Sequence, residues 1–157
     1  MATSPRPARI GFLLTQLGSV AAENFAAKTR ELGITPAEAG VMRILGRAAG
    51  MNQRELATKL GVAQSRVVAL VDSLEASGLV ARVRSATDRR SQELRVTDAG
   101  RELLGQLRVA AETQEAEIAE GLSPDDRDRL YELLLALGRA RGLDPDVHPG
   151  VGAGRDA

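Results

Sequence analysis

Apolar residues recur along the chain at helical spacing, and capping signals cut the recurrences into blocks. Ile10, Leu14, Leu17, Ala21 and Phe25 share one stripe, which predicts a long first helix over about 7–31. Val41, Ile44, Leu45 and Ala48 predict a second over about 36–48. Leu56, Ala57 and Leu60 mark a short third helix stopped by Gly61. Val67, Leu70, Val71 and Leu74 mark a fourth stopped by Gly78. Leu103, Leu104, Leu107, Ala111, Ile118 and Leu122 predict a fifth over about 98–121, and Leu130, Leu133, Leu134 and Leu137 a last over about 124–141.

The starts are chemically marked. Thr35-Pro36-Ala37-Glu38 offers a capping hydroxyl, a first-turn proline and a glutamate that can reach back. Asn52-Gln53-Arg54-Glu55 repeats that logic, Thr97-Asp98 suits another start, and Ser123-Pro124-Asp125-Asp126 places acids where the helix dipole favours them. One stretch departs from helical spacing. Val80–Arg84 and Gln92–Val96 alternate apolar and polar residues around the turn-like run 85–91, which predicts an antiparallel hairpin with a basic tip. The tail 142–157, with Pro145, Pro149 and four glycines, reads as a flexible, frayed end carrying His148.

Composition removes whole classes of chemistry. The 157 residues contain no cysteine and one histidine, so thiol nucleophiles, thiolate metal sites and histidine zinc sites are out. No phosphate-binding glycine loop or metal-ligand cluster is visible, so the chain reads as a non-enzyme without a cofactor. No apolar run approaches the roughly 20 residues of a membrane span and no signal peptide is visible, which predicts a cytoplasmic protein. Net charge is zero but unevenly spread. Residues 1–51 and 52–101 each carry +3, whereas 102–132 carry −6. A locally positive region can steer a polyanion even in a neutral chain.

Two short helices joined at Gly61 and followed by a basic hairpin spell a winged helix-turn-helix. Small Ala57 lets the helices cross closely, and Gly61 can take a positive φ at the turn. The outer face of the fourth helix then carries Gln64, Ser65, Arg66, Val68, Ala69 and Ser73, a set of sizes and polarities that fits a major groove. The wing brings Arg82, Arg84, Arg89, Arg90 and Arg95, which suit a narrow minor groove. The bland reading of the same arginines is a solvated hairpin. The terminal helices have apolar residues on more than one side, notably Leu133, Leu134, Leu135 and Leu137, which calls either for a partner chain or for a larger internal core.

The run Glu55-Leu56-Ala57, Leu60-Gly61-Val62 and Leu70 to Arg82, continued by Asp88-Arg89-Arg90-Ser91 and Leu94 to Arg101, resembles the MarR (multiple antibiotic resistance regulator) family. The resemblance covers about residues 8–141 and is most specific over 52–101. It implies a mainly α protein with a small β-hairpin wing: dimerisation helices at 1–34 and 98–141, a DNA-binding lobe at 36–97, a helix-turn-helix at about 52–77 and a wing at about 80–96. It implies a homodimeric repressor on a pseudo-palindromic DNA operator, usually near its own promoter, typically released by a small effector that is often an aromatic or phenolic acid. Carried over by position, Gln64, Ser65, Arg66, Val68 and Ala69 become groove residues and Arg89 the wing-tip arginine, while the helix face and wing read above add Ser73, Arg84 and Arg90 as DNA contacts. Ala63 stands where the family often has a serine or aspartate cap. An effector cleft between the dimer helices and the lobe draws on Phe12, Leu13, Gln16, Met42 and Arg43, the arginine pairing with a carboxylate. The alternative function is a winged-helix protein-interaction module that binds no DNA.

Overall fold

A computed structural model describes residues 8–48, 50–86 and 91–152. The chain runs α1 (Ile10–Glu31), α2 (Pro36–Arg47), α3 (Gln53–Leu60), α4 (Gln64–Ala76), β1 (Val80–Arg84), β2 (Gln92–Val96), α5 (Asp98–Ile118) and α6 (Pro124–Ala140), then a 3₁₀ turn at Pro149–Val151. The fold is a winged helix-turn-helix flanked by long helices, mainly α with one two-stranded antiparallel sheet.

The predicted caps form. Thr35 accepts from the Glu38 amide and the Glu38 side chain accepts from the Thr35 amide, and Asn52 with Glu55 repeats this reciprocal pair. Thr97 accepts from Gly100 N, and Ser123 from Asp126 N. The strands pair Val80 with Val96 and Arg84 with Gln92. A two-stranded ribbon is marginal alone. This one is anchored at its base, where Leu94 N donates to Met51 O at 2.8 Å and Thr97 N to Leu79 O at 3.1 Å. Gly100 is needed there, because a Cβ would strike the Leu79 carbonyl and Val96.

The core is built by α2, α3, α4 and the base of the hairpin. Val41, Met42, Leu56, Val67, Val71 and Leu74 are fully or almost fully buried, with Val80 and Leu94 beneath the wing. The second half of α1 packs on this lobe through Phe25 and Thr29, and α5 through Leu103. The first half of α1 and all of α6 bury little. Ile10, Leu14, Leu17, Leu130, Leu133, Leu134 and Leu137 remain exposed.

Within the tail expected to fray over 142–157, residues 144–152 lie against the lobe. Gly142 takes φ +70° and Leu143 N caps α6 by donating to Gly138 O at 3.0 Å. The chain then doubles back along α2 until Val151 inserts, with no exposed surface, into the core. Its proline and glycine content suits this turn-rich path as well as it suits fraying. Among the described residues no helix is long and apolar enough to cross a membrane.

Candidate nucleic-acid interface

α3 and α4 meet at Gly61, whose φ of 65° and ψ of 30° place it in the left-handed region. Val62 N donates back to Ala57 O at 3.2 Å, and buried Ala57 permits the close crossing. Leu56, Leu60, Val67, Leu70 and Leu74 lock the pair from within. α4 thus presents a fixed outer face.

No side chain caps α4, because Ala63 sits at its N-cap with extended backbone. The first-turn amides and the positive end of the helix dipole are left available to an anion. Gln64, Ser65 and Ala69 are exposed and Val68 is half-buried. Arg66 and Ser73 behave differently from the expectation. At 100° per residue they share the flank of α4 that faces α2. Arg66 is half-buried and its Nε donates to Val151 O at 3.5 Å. Ser73 is exposed, but its hydroxyl proton is committed to Glu38 Oε1 at 2.5 Å.

Arg84 ends β1 and is exposed. Arg89 and Arg90 lie outside the described residues. Arg82, which the sequence grouped with the other wing cations, has a structural task. Its guanidinium bridges Asp72, at 2.5 Å, and Glu75, both on α4. Burial works against its charge, but the hydrogen bonds to Asp72 and Glu75 outweigh that and hold its pKa above the usual arginine value. The wing is thereby clamped to α4. Positions 72, 75 and 82 carried the signal, but their partnership spans a helix, a turn and a strand, so no local periodicity displays it. On the other strand Arg95 pairs with Glu93 at 3.2 Å. The Ser85 hydroxyl and then Arg95 hold the Glu93 carboxyl below its ordinary range.

A second concavity of about 990 Å³ lies among the second half of α1, α2, α5 and the returning C-terminal segment. Apolar Ala21, Phe25, Leu104 and Leu107 line it with Arg43 and His148. Of the five residues expected there, only Arg43 is present. Met42 neighbours Arg43 in sequence but points about 100° away on the helix and is fully buried in the core. Phe12, Leu13 and Gln16 lie on the half of α1 that overhangs the lobe, with Phe12 58% exposed, and they do not line the cleft. His148, expected in a loose tail, stacks on Phe25 with centroids 4.8 Å apart. Its Nδ1 accepts from Gly150 N at 3.0 Å, which fits a neutral ring. Burial and then the nearby Arg43 charge push its pKa down.

Residues 32–91 match the MarR family. A Thauera aromatica protein named for transcriptional regulation of the hcr operon is 33% identical over 138 residues, covering 87% of this chain and 82% of that one. The structure of a transcriptional repressor, CouR, bound to a 23-mer DNA duplex is 35% identical with a TM-score of 0.72, over 83% of this chain and 92% of that one. CouR from Rhodococcus jostii RHA1 bound to p-coumaroyl-CoA is 27% identical with a TM-score of 0.70, over 85% and 95%. The fold agrees with that of these solved relatives over most of the chain, and the chain belongs to the MarR family of transcriptional regulators.

Proposed function

We propose that the chain is a homodimeric, sequence-specific DNA-binding repressor, acting in the cytoplasm and released from a pseudo-palindromic operator by a small acidic effector. The observation that carries this reading is the face of α4. An uncapped helix start, exposed Gln64, Ser65 and Ala69, and a wing clamped beside them with Arg84 exposed make a surface for a groove and its phosphates. In this reading Gln64 pairs with a base edge, Ser65 takes a phosphate or base, and Val68 and Ala69 meet thymine methyl groups. Arg84, Arg89 and Arg90 follow the backbone or the minor groove. The DNA-bound CouR relative supports it.

The dimer rests on apolar surface. Ile10, Leu13, Leu17, Leu130, Leu133 and Leu137 are each at least 40% exposed, which a solitary chain would leave in water. Two-fold pairing of α1 and α6 covers them and sets two copies of α4 side by side. The cleft supplies the effector site. Its apolar wall suits an aromatic body and Arg43 suits a carboxylate, in keeping with the p-coumaroyl-CoA complex of CouR. Such a ligand acts only through a higher affinity for a dimer whose α4 helices are wrongly spaced.

The test is to sequence genomic fragments retained by the purified protein. The expected outcome is one enriched motif with half-sites about one helical turn, ~10 base pairs, apart. A folded protein that enriches no sequence points to a protein-interaction module instead.

A further inference from the structure

Residues 144–152 lie along α2 and are fastened at both ends. At the near end Lys59 Nζ meets Asp144 Oδ2 at 2.7 Å and Arg47 meets Asp146 Oδ1 at 2.5 Å. Between them Arg43 Nη2 donates to Pro145 O at 3.3 Å. At the far end Val151 is wholly buried, and its carbonyl receives Arg66 Nε of α4. The seat is shaped for this segment. A Cβ on Gly40 would stand 3.0 Å from His148 Cβ and 3.1 Å from Val151 Cγ2, closer than side chains normally pack. A glycine lets the segment lie flat on α2, whereas a methyl group would require His148 and Val151 to draw back by a few tenths of an ångström.

We propose that residues 144–152 form an autoinhibitory strap that withholds basic side chains of the helix-turn-helix lobe from DNA. Two effects act in the same direction. Arg66 cannot rest on Val151 and reach a base edge at once. Asp144 and Asp146 neutralise Lys59 and Arg47, two cations that would otherwise draw phosphate to the lobe. The strap is tethered to its seat, so it competes at a high local concentration. Its ion pairs are exposed and individually weak, so a polyanion can displace it. The same segment supplies His148 to the cleft, which puts the strap in contact with both the candidate effector site and α4.

The inference rests on the DNA-binding reading, and the test separates the two. The full-length chain is prepared as Gly40→Ala, which crowds the seat without changing charge, and as Val151→Asp, which removes the buried anchor. The single histidine reports docking through its ring proton resonances. In either variant His148 is expected to move to the resonance of a solvent-exposed imidazole. Affinity for the enriched duplex should rise about fivefold or more, and the gain should shrink to the salt-sensitive part carried by Lys59 and Arg47 when Arg66→Ala is added. An undocked strap with unchanged or weaker DNA binding overturns the proposal. So does a gain that Arg66→Ala leaves undiminished, or a strap that stays docked in both variants. If the unaltered protein binds no duplex at all, the DNA-binding reading itself fails and the strap's role with it, while the histidine still reports docking.

Discussion

Ser73 on α4 donates its hydroxyl to Glu38 on α2 at 2.5 Å, and this contact joins α4 to the capping box of its neighbour. The other Glu38 oxygen accepts from Thr35 N at 2.7 Å and from Thr35 Oγ1 at 2.9 Å. One carboxylate therefore ends a helix correctly and also fixes how α4 sits on the lobe. Ser73→Ala is expected to destabilise the fold by about 1 kcal/mol while leaving DNA affinity nearly unchanged. Urea unfolding and a duplex titration check the two halves. A large loss of affinity with intact stability would return Ser73 to the DNA contacts.

The same carboxylate makes stability depend on pH. Burial raises the Glu38 pKa, but the bonds from Ser73 and Thr35 outweigh it and leave a net lowering. A depressed carboxyl pKa stabilises the folded state above the unfolded value near 4.5, and that contribution is lost as pH falls through the folded value. Glu38→Gln should flatten the acid limb of an unfolding-midpoint profile. A profile identical to that of the unaltered protein would show that Glu38 does not titrate with folding.

Arg82 is a positioning residue. With only 17% of its side chain exposed it bridges Asp72 and Glu75. Arg82→Ala leaves two carboxylates facing the wing without a cation and should cost about 1–3 kcal/mol of stability. DNA affinity should fall as well, because the wing loses its fixed angle to α4. Arg82→Lys restores the charge without the fork, so it should recover part of both. Full DNA affinity in a stable Arg82→Ala protein would mean that the clamp does not set the wing.

His148 gives the strap a second readout. Its pKa is lowered by burial against Phe25 and α2 and then by the Arg43 charge. A depressed histidine pKa contributes docking stability above the unfolded value near 6.5, and that contribution is lost as pH falls from there towards the folded value. Proton NMR of the one histidine should therefore titrate below its ordinary range, and Val151→Asp should restore that range. An ordinary titration in the unaltered protein would contradict the packed position.

Much of this architecture was legible because its causes are local. Thr35 with Glu38 and Asn52 with Glu55 announce helix starts within four residues, and the alternation in 80–84 and 92–96 predicts both strands to the residue. What stayed hidden depends on partners far away in sequence. The strap needs Gly40, more than a hundred positions earlier, to leave room for His148 and Val151. Arg82 needs two acids on another element. Met42 and Arg43 are neighbours in the chain, and only helix phase sends one into the core and the other to the cleft. Phe12, Leu13 and Gln16 lie away from the concavity of their own chain, because apolar spacing does not say where a long helix outruns the lobe it packs on.

Replacing Leu133 and Leu137 together by glutamate should abolish the pairing of chains. Light scattering is expected to give twice the 16.6 kDa chain mass for the unaltered protein and a single mass for the variant. The helix-turn-helix, whose core does not use α6, should stay folded. A monomer in both cases would leave the exposed leucines of α6 without the role assigned to them.

The central claim, that a dimer reads DNA through α4 and the wing, is tested most directly by anisotropy titration of the enriched duplex across a salt series. The account predicts two chains per duplex and an affinity that falls steeply between about 50 and 200 mM salt. It also predicts that Gln64→Ala loses discrimination at one base pair while Arg84→Ala weakens all sequences alike. Binding by a single chain, an affinity indifferent to salt, or equal losses for both variants on every sequence would contradict it.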